Sequence, residues 1–438
     1  MNRMNPSEVA ARVDRHPVLT RTRVALAGTA AVALMLAGCT PASDDGGGED
    51  VVLTYSIWDA PQEEATQAII DAFETSNPGI EVELSVIPWA EYWTKLQTTA
   101  TSGSAPDIFW MNTPSLPKYA NGGVLLPLSE RIEADGFDLS AFAPAPVASA
   151  TFDGEVYGIP KDVDALALWY NTAIFEAAGV AVPTDDWTWD DLVAAATQLT
   201  DAGAGVYGIP ALNTNQLSYY NTIPQSGGFV INDEGTESGY DDPATIAGIQ
   251  AWVDLIELGV SPTLQQMTDT DPTQMFQSGK LAMTFAGSWM IPVFTGDDAI
   301  KDTLGVVQMP LIEQRGGVSN SVSNVGFANS EHPDEVWKFL EFLGSVAAAN
   351  MIAEGGVLPA MTSAQQVWAE GRPESINTAA FLDTVAVNTA FPRSLDTAVW
   401  ADFATEELNK AWTGELTVEE AAANVAAFMN EALAAERE

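Results

Sequence analysis

The sequence predicts an α/β protein that is built as two lobes. Its folded part opens with strands that alternate with helices, a pattern that gives right-handed crossovers and a largely parallel sheet. The chain has 438 residues. The roughly 400 residues that follow an N-terminal leader exceed what one compact core usually holds. These two observations together favour two α/β lobes over a single domain.

The first strand and helix carry clear signals at both of their ends. Val51–Ile57 is a run of β-branched and apolar residues, typical of a buried strand. A helix is predicted to start near Pro61, because proline suits a first helical turn, and to stop at Asn77-Pro78-Gly79. The alternation continues with a strand, a helix and a strand over 80–86, 89–101 and 107–110.

The later part of the chain has shorter strand signals and more helix. Strands are predicted over 157–160, 165–170, 207–210 and 304–311. The segment Tyr207–Pro210 echoes Tyr157–Pro160, but the flanking residues differ, so we do not interpret the pair as a repeat. Helices dominate from Asp334 onward and end in an amphipathic helix near 417–436.

The first 50 residues predict export and attachment to a membrane. Five arginines precede an apolar run from Val24 to Leu36. This run suits a signal peptide and is shorter than the about 20 residues of a membrane-spanning helix. It ends in Leu36-Ala37-Gly38-Cys39, which resembles the lipobox of bacterial lipoproteins. The sequence therefore predicts a signal peptide at 1–38, a lipid on Cys39 and a flexible, acidic tether at 39–50.

The alternative interpretation of the leader is an ordinary secretory signal that contains a cysteine by chance. Cys39 is the single cysteine of the chain. A lone thiol in an exported protein has no disulfide partner, so lipidation explains this residue better than a disulfide bridge does.

The charge of the chain limits its partners. It carries 60 acidic and 17 basic residues, a net charge of −43. Removal of the leader takes away 5 arginines and 2 acids, which leaves 58 acidic and 12 basic residues. Such a surface repels nucleic acid and anionic lipid. We therefore expect no nucleic-acid partner, and we attribute the charge to solubility in salty or acidic surroundings.

Short motifs follow one another along residues 51–438. They are Trp58-Asp59, Phe73-Glu74-Thr75-Ser76-Asn77-Pro78-Gly79-Ile80, Ala105-Pro106-Asp107-Ile108, Leu168-Trp169-Tyr170-Asn171, Trp187-Thr188-Trp189-Asp190-Asp191-Leu192, Ser278-Gly279-Lys280-Leu281-Ala282-Met283 and Gly287-Ser288-Trp289. In this order and spacing they resemble the bacterial extracellular solute-binding proteins of the sugar-binding branch, the relatives of maltose-binding protein.

The resemblance implies a periplasmic-binding-protein-like fold with two discontinuous lobes, a hinge and a ligand cleft between the lobes. Lobe one would comprise 51–160 plus 308–365, and lobe two 161–307 plus 366–438. The resemblance also implies that the closed form docks on an ABC permease, which imports the sugar. We expect a monomer, lipid-anchored to the outer face of the cell membrane.

Candidate ligand-binding residues lie in predicted loops or at strand ends. A sugar site needs aromatic rings for C–H faces and polar side chains for hydroxyls. Ligands of parallel sheets bind beyond the carboxyl ends of the strands, where Trp58, Asp59, Trp110 and Asn112 lie. The resemblance adds ring stacking by Trp110 and Trp289, hydroxyl binding by Arg393, and further ligand contacts by Asp164, Tyr219, Tyr220, Ser288 and Trp400.

For each of these residues, local packing or a turn is the alternative, and for Asp59 it is helix capping. Two other functions also stay open. A lipid-anchored glycoside hydrolase needs two carboxylates about 5 to 10 Å apart, and a chain this acidic supplies pairs by chance. A receptor for glycerol phosphate or a peptide would need Arg or Lys in the cleft, where 12 basic residues in the mature chain make a neutral sugar the better fit.

Other catalytic schemes have few residues to work with. His332 is the one histidine after the leader, and Ala286–Met290 lacks the last glycine of a Gly-x-Ser-x-Gly motif. No cluster of cysteine and histidine suggests zinc, and Asp269-Thr270-Asp271-Pro272 lacks the glycine of a calcium loop. We therefore expect no enzyme activity, no cofactor and no metal.

Replacement of Cys39 by alanine tests the predicted anchor. The variant keeps the charged and apolar parts of the leader but loses the thiol that would carry the lipid. After growth with an alkyne-labelled fatty acid, we expect label on the wild-type protein and on a Thr40→Ala control, and none on Cys39→Ala. Equal labelling of the Cys39→Ala variant would contradict lipidation at this residue.

Overall fold

The structure is a computed structural model that describes residues 50–437. The predicted signal peptide at 1–38, Cys39 and the tether up to residue 49 lie outside the described residues. The strands are β1 (Val51–Ile57), β2 (Ile80–Val86), β3 (Ile108–Asn112), β4 (Thr151–Phe152), β5 (Glu155–Val156), β6 (Gly158–Pro160), β7 (Leu166–Asn171), β8 (Met283–Gly287), β9 (Leu304–Val307), β10 (Val318–Ser319), β11 (Val322–Gly326) and β12 (Thr389–Ala390).

Helices make up most of the remaining regular structure. They are α1 (Glu63–Ser76), α2 (Trp89–Ser102), α3 (Leu116–Asn121), α4 (Ser129–Asp135), α5 (Pro144–Ser149), α6 (Thr172–Ala178), α7 (Trp189–Leu199), α8 (Tyr219–Gln225), α9 (Pro243–Glu257), α10 (Leu264–Asp269), α11 (Pro272–Gln277), α12 (Ile291–Thr295), α13 (Pro333–Leu343), α14 (Val346–Glu354), α15 (Thr362–Glu370), α16 (Thr378–Val387), α17 (Thr397–Trp412) and α18 (Val418–Ala435).

A five-stranded sheet, the first sheet, has the order β2-β1-β3-β11-β6. β1 pairs in parallel with β2 and β3, while β11 runs antiparallel to β3 and β6. The first core lies on one face of this sheet, where Leu53, Tyr55 and Ile57 pack with Phe73 of α1 and Phe339 of α13. These three β1 residues are two positions apart and therefore share one face of the strand.

A three-stranded sheet, the second sheet, has the order β8-β7-β9 and is antiparallel throughout. The second core packs against it and collects residues from as far apart as Leu168 of β7, Trp252 of α9 and Trp412 of α17. Within residues 50–437, the parallel pairing that the sequence predicts is therefore found in β1, β2 and β3 and in the short pair of β10 with β12, whereas the rest of the two main sheets is antiparallel.

Three segments run side by side between the two sheets. The backbone N–H of Lys161 donates to the carbonyl of Val322, and that of Asp164 donates to the carbonyl of Asn320. On the other side, the N–H of Ala360 donates to the carbonyl of Lys161. The chain thus passes from one sheet to the other as a hydrogen-bonded ribbon rather than as separate loops.

Most predicted elements are found within a residue or two of their expected bounds, and two are not. The strand expected over 304–311 ends at Val307. The segment Tyr207–Pro210 forms only isolated bridges, such as Tyr207 with Leu281. Gly208 explains the second difference, because a Cβ there would lie 2.5 Å from the backbone of Ala196. The segment is held against α7 and not within a sheet.

Within residues 50–437, no single helix is long and apolar enough to cross a membrane, although the bent pair Pro333–Leu343 and Val346–Glu354 meets both measures when its two helices are counted together.

Lys161 lies at the start of the first crossing segment and is only 5% exposed. Its ammonium donates to Gln62 Oε1 at 2.7 Å and to Asp162 Oδ2 at 2.8 Å. It also lies 4.3 Å from the ring centroid of Trp110. A buried cation needs such partners, because burial removes the water that would otherwise stabilise it.

Replacement of Lys161 by methionine should therefore destabilise the protein strongly. The change leaves the buried Asp162 carboxylate without its cation, and breaking a buried pair typically costs about 3–5 kcal/mol. Urea unfolding measures the difference. The control is Lys301→Met, whose ion pair with Asp298 is solvent-exposed. We expect the control to lose at most about 1 kcal/mol, and equal losses in both variants would contradict the importance of the buried pair.

Candidate functional site

Most of the predicted ligand-binding residues in or near the first sheet lie at its carboxyl-terminal edge. β1, β3 and β6 all end at this edge, and β11 begins there, because it runs antiparallel to both neighbours. The edge therefore brings together Trp58 and Asp59 after β1, Asn112 at the end of β3, and Lys161 after β6. This juxtaposition follows from strand direction alone.

Trp58 is the aromatic centre of this edge. Its ring centroid lies 5.1 Å from that of Trp110, 5.0 Å from Tyr92, 5.3 Å from Trp89 and 5.9 Å from Trp93. Most of these contacts are edge-to-face, the arrangement that aromatic rings prefer. Trp58 is half-buried, so four rings hold it in place while part of its surface stays accessible.

Trp110 does not offer the stacking face that the resemblance implied. The residue is fully buried, with Trp58 on one side and the Lys161 ammonium over its ring. Its indole N–H donates to the Tyr55 hydroxyl at 2.7 Å, and that hydroxyl donates to Asn324 Oδ1 at 2.6 Å. The structure corrects the expectation: Trp110 supports Trp58 from below, and Trp58 and the half-exposed Trp89 carry the accessible aromatic surface.

Polar side chains beside Trp58 form a chain of hydrogen bonds. Lys161 donates to Gln62 Oε1, and Gln62 Nε2 donates to Asp59 Oδ2 at 2.7 Å. Asp59 does not cap the following helical turn with its side chain, so the capping alternative is not found. Asn112 is buried, and its side-chain oxygen accepts from the N–H of Ser115 at 3.2 Å. Lys161 and Gln62 were not predicted from the sequence.

Asp164 lies farther along the first crossing segment. Its carboxylate accepts from Gln216 Nε2 at 2.7 Å. Asp164 keeps some exposure to solvent, yet dense surrounding protein and the nearby Asp162 carboxylate raise the pKa of its carboxyl well above the usual value. The Gln216 hydrogen bond and the Lys161 charge act in the opposite direction and are weaker. Gln216 was not predicted from the sequence either.

Trp289 follows the last strand residue of β8, Gly287, and is half-buried. A Cβ on Gly287 would lie 1.9 Å from the Trp289 ring, so glycine is needed for the ring to lie against the strand. Ser288 between them is buried, and its N–H donates to the carbonyl of Ala165 at 2.9 Å.

A cavity of about 420 Å³ lies beside the Trp289 ring, and its lining includes Leu212, Asn213, Leu217 and Met267. Among residues 50–437, nothing donates a hydrogen bond to the buried side-chain oxygen of Asn213. The cavity thus combines an aromatic ring, apolar walls and polar side chains such as Asn213 and Thr214. These are the features of a site for an uncharged molecule that has both apolar faces and hydroxyls.

Tyr219, Tyr220 and Trp400 lie in the second core and correct the sequence-based expectation. All three are at most 1% exposed. The rings of Tyr219 and Tyr220 pack on Trp412 and Phe391, respectively. The Trp400 indole N–H donates to Ser394 Oγ at 2.8 Å. The resemblance implied ligand contacts for these three residues, but α8 and α17 turn their side chains toward the second core.

The expectation that Arg393 binds ligand hydroxyls is also corrected, because both of its terminal nitrogens already donate to backbone carbonyls. One terminal nitrogen donates to the carbonyls of Ser149 and Thr113, and the other donates to those of Ala148 and Thr151. Burial lowers the pKa of this guanidinium to about 10, so it remains charged at neutral pH. The terminal nitrogens that would form a bidentate clamp on ligand hydroxyls are therefore occupied by backbone carbonyls.

The two sheets, the ribbon of crossing segments and the aromatic and polar residues at the sheet edges define a two-lobed solute-binding fold. The sequence profile described as bacterial extracellular solute-binding protein matches residues 59–350. The chain belongs to this family, and the resemblance found in the sequence is confirmed.

Relatives and solved structures agree with this membership. A putative binding protein of Brucella abortus is 29% identical over 303 residues, which cover 67% of this chain and 72% of that protein. The diacetylchitobiose binding protein of Streptomyces coelicolor is 26% identical, over 78% of this chain and 82% of that one. The structure of an ABC substrate-binding protein from Listeria monocytogenes in complex with cycloalternan superposes with a TM-score of 0.81 at 28% identity, over 88% of this chain and 99% of that one.

The raised pKa of Asp164 predicts an unusual pH dependence of stability. The folded protein holds this proton more tightly than the unfolded chain does, so stability falls as pH rises above the unfolded carboxyl pKa of about 3.9. Asp164→Asn cannot titrate. The stability of the wild type relative to this variant should therefore fall with rising pH, with a slope of up to about 1.4 kcal/mol per pH unit, until the folded pKa is passed.

Asp138→Asn provides a control of opposite sign. Hydrogen bonds from Ser140 lower the pKa of the Asp138 carboxyl, so the wild type should gain stability over this variant as pH rises through the acidic range. Urea unfolding from about pH 2 to about pH 8 measures both differences, because the Asp138 difference develops below the unfolded carboxyl pKa of about 3.9. A pH-independent difference for Asp164→Asn would show that its carboxyl is not perturbed.

Proposed function

We propose that this protein is the substrate-binding lipoprotein of an ABC importer, which captures a sugar or oligosaccharide in a cleft between two lobes and delivers it to a membrane permease. The observation that carries the proposal is the half-buried Trp58, fixed by four aromatic rings beside the hydrogen-bonded side chains of Asp59 and Gln62. A rigid aromatic face next to hydroxyl-binding groups suits a sugar ring.

The names of the relatives support a sugar ligand. One relative is a diacetylchitobiose binding protein, and the Listeria monocytogenes protein was solved with cycloalternan. Both ligands are oligosaccharides. The lipid on Cys39, the monomeric state and the lobe bounds at 51–160 plus 308–365 and 161–307 plus 366–438 remain predictions within this proposal.

The charges of the site favour a neutral ligand over glycerol phosphate or a peptide. Lys161 is the cation at the first-sheet edge, and its ammonium already bonds Gln62 and Asp162. The guanidinium of Arg393 is occupied by backbone carbonyls. A phosphate group would therefore displace existing bonds rather than fill open positions.

Hydrolysis of the bound sugar is tested directly, because the Asp164 carboxyl has a raised pKa and catalytic acids share this property. The protein is incubated with its tightest-binding oligosaccharide, and the solution is analysed for shorter sugars by chromatography. We expect the sugar to be recovered intact. Release of shorter sugars by the wild type but not by Asp164→Asn would establish a glycoside hydrolase instead.

Replacement of Trp58 or Trp289 by alanine should weaken sugar binding at least about tenfold, which corresponds to about 1.4 kcal/mol. The physical reason is the loss of the aromatic surface against which a sugar ring packs. Isothermal titration against maltotriose, lactose, diacetylchitobiose and cycloalternan measures the affinity of each variant.

The matched control is Trp187→Ala. Trp187 is a half-buried tryptophan that packs on Phe175 in the second core. We expect this variant to lose stability and to keep its affinity. If both site variants bind with wild-type affinity, the ligand does not bind at Trp58 and Trp289. If the wild type binds none of the four sugars, the sugar assignment is contradicted for these ligands.

A further inference from the structure

The segment between β12 and α17, residues 391–396, lies at the boundary of the two cores. Phe391 and Trp400, on either side of this segment, are both buried in the second core. Arg393 between them reaches in the opposite direction, to carbonyls of α5 and its neighbours. α5 belongs to the other half, because Phe142 just before it is buried in the first core and Val147 within it packs against that core.

The acceptors of Arg393 explain why the contact is strong. The carbonyls of Ala148 and Ser149 are in the last turn of α5, where backbone carbonyls lack partners within the helix. Arg393 donates to them and, across two further elements, to Thr151 of β4 and to Thr113 after β3. The planar guanidinium can hold several acceptors at once, which a lysine ammonium cannot do in the same geometry.

The second core holds the other end of this segment rigidly. The carboxylate of Glu436, just after α18, accepts from Ser394 Oγ at 2.8 Å and from the N–H groups of Leu395 and Asp396 at 3.0 and 2.9 Å. The Trp400 indole N–H donates to the same Ser394 hydroxyl. Arg393 therefore projects from a segment that α17 and α18 fix in place.

We propose that Arg393 is a positioning residue that restrains the hinge. Through α5 it connects the half of the molecule around the first core to the half around the second core, and so limits how far the ligand cleft opens. Thr113, one of its acceptors, directly follows Asn112 at the first-sheet edge. The restraint therefore acts next to the candidate site. A second contact, the exposed ion pair of Lys118 with Asp396 at 3.1 Å, joins the same two halves and is weaker because water screens it.

The charges of the two halves predict whether the cleft opens or closes when the Arg393 contact is lost. With the lobe bounds predicted from the sequence, residues 51–160 plus 308–365 hold 21 acidic and 5 basic residues, and residues 161–307 plus 366–438 hold 33 acidic and 7 basic residues. Two bodies of the same sign repel each other at low salt. Loss of the Arg393 guanidinium removes its hydrogen bonds and one positive charge from the boundary between the two halves. The cleft of the unliganded protein should therefore open further.

Small-angle X-ray scattering of the full-length protein without sugar tests this proposal. Arg393→Gln should have a larger radius of gyration than the wild type at low salt, Arg393→Lys should lie between the two, and added salt should reduce the difference. The measurement needs no ligand, so its outcome is independent of whether the sugar assignment is correct.

Arg372→Gln is the matched control. Arg372 also donates to backbone carbonyls, those of Trp368 and Ala353, and burial also lowers the pKa of its guanidinium. However, its hydrogen bonds within residues 50–437 join the neighbouring helices α14 and α15, and none of them reaches α5 or residues 391–396. This variant should lower the melting temperature without changing the radius of gyration.

Sugar affinity supplies a second readout. If one of the four sugars tested above binds the wild type, Arg393→Gln should bind it about tenfold more weakly, a loss of about 1.4 kcal/mol in binding free energy. Arg393→Lys should recover part of this loss. An unchanged scattering curve for Arg393→Gln, or an equal change in Arg372→Gln, would overturn the proposal and leave Arg393 as a stabilising residue only. If Arg393→Gln does not fold, the same comparison is made with Arg393→Lys.

Discussion

The buried ammonium of Lys161 is the interaction on which the rest of the site depends. It lies where the chain leaves the first sheet. It contacts Gln62 just before α1, Asp162 in the crossing segment and Trp110 in β3. Asp162 in turn accepts from the N–H of Val322, where β11 enters the sheet. Because a buried charge is tolerated only when all of its partners are in place, this one side chain fixes the relative positions of four elements.

The aromatic surface of the candidate site follows from that arrangement. Trp110 lies between the Lys161 ammonium and Trp58, and its indole N–H is held by Tyr55. Trp58 therefore packs on a ring that cannot move, and Tyr92 and Trp93 hold its sides. A ring fixed before the ligand arrives loses little conformational freedom on binding, which favours affinity. The buried tryptophan and the accessible one thus have separate roles.

Burial divides seven of the eleven predicted site residues into two groups; of the other four, Trp110, Asn112 and Ser288 are buried in or next to strands, and Arg393 is bound to backbone carbonyls. Trp58, Asp59, Asp164 and Trp289 keep accessible surface, and each lies just after a strand or in a crossing segment. Tyr219, Tyr220 and Trp400 lie within helices that pack on the second core. A sequence shows where a strand ends, and therefore which residues reach a sheet edge. It does not show which side of a short helix such as α8 faces a neighbouring core.

The sequence by itself determined the class of fold, the order of the elements and the family. The bounds of β1 and β2 and the extent of α2 could be predicted because apolar periodicity and turn residues are local properties of the chain. Only the tertiary structure decided that Lys161 is buried, that Trp110 is covered and that Arg393 binds α5. These outcomes depend on residues more than 50 positions apart, such as Gln62 with Lys161 and Ser149 with Arg393. Contacts of that kind arise from how elements pack, and no local pattern in the chain encodes them.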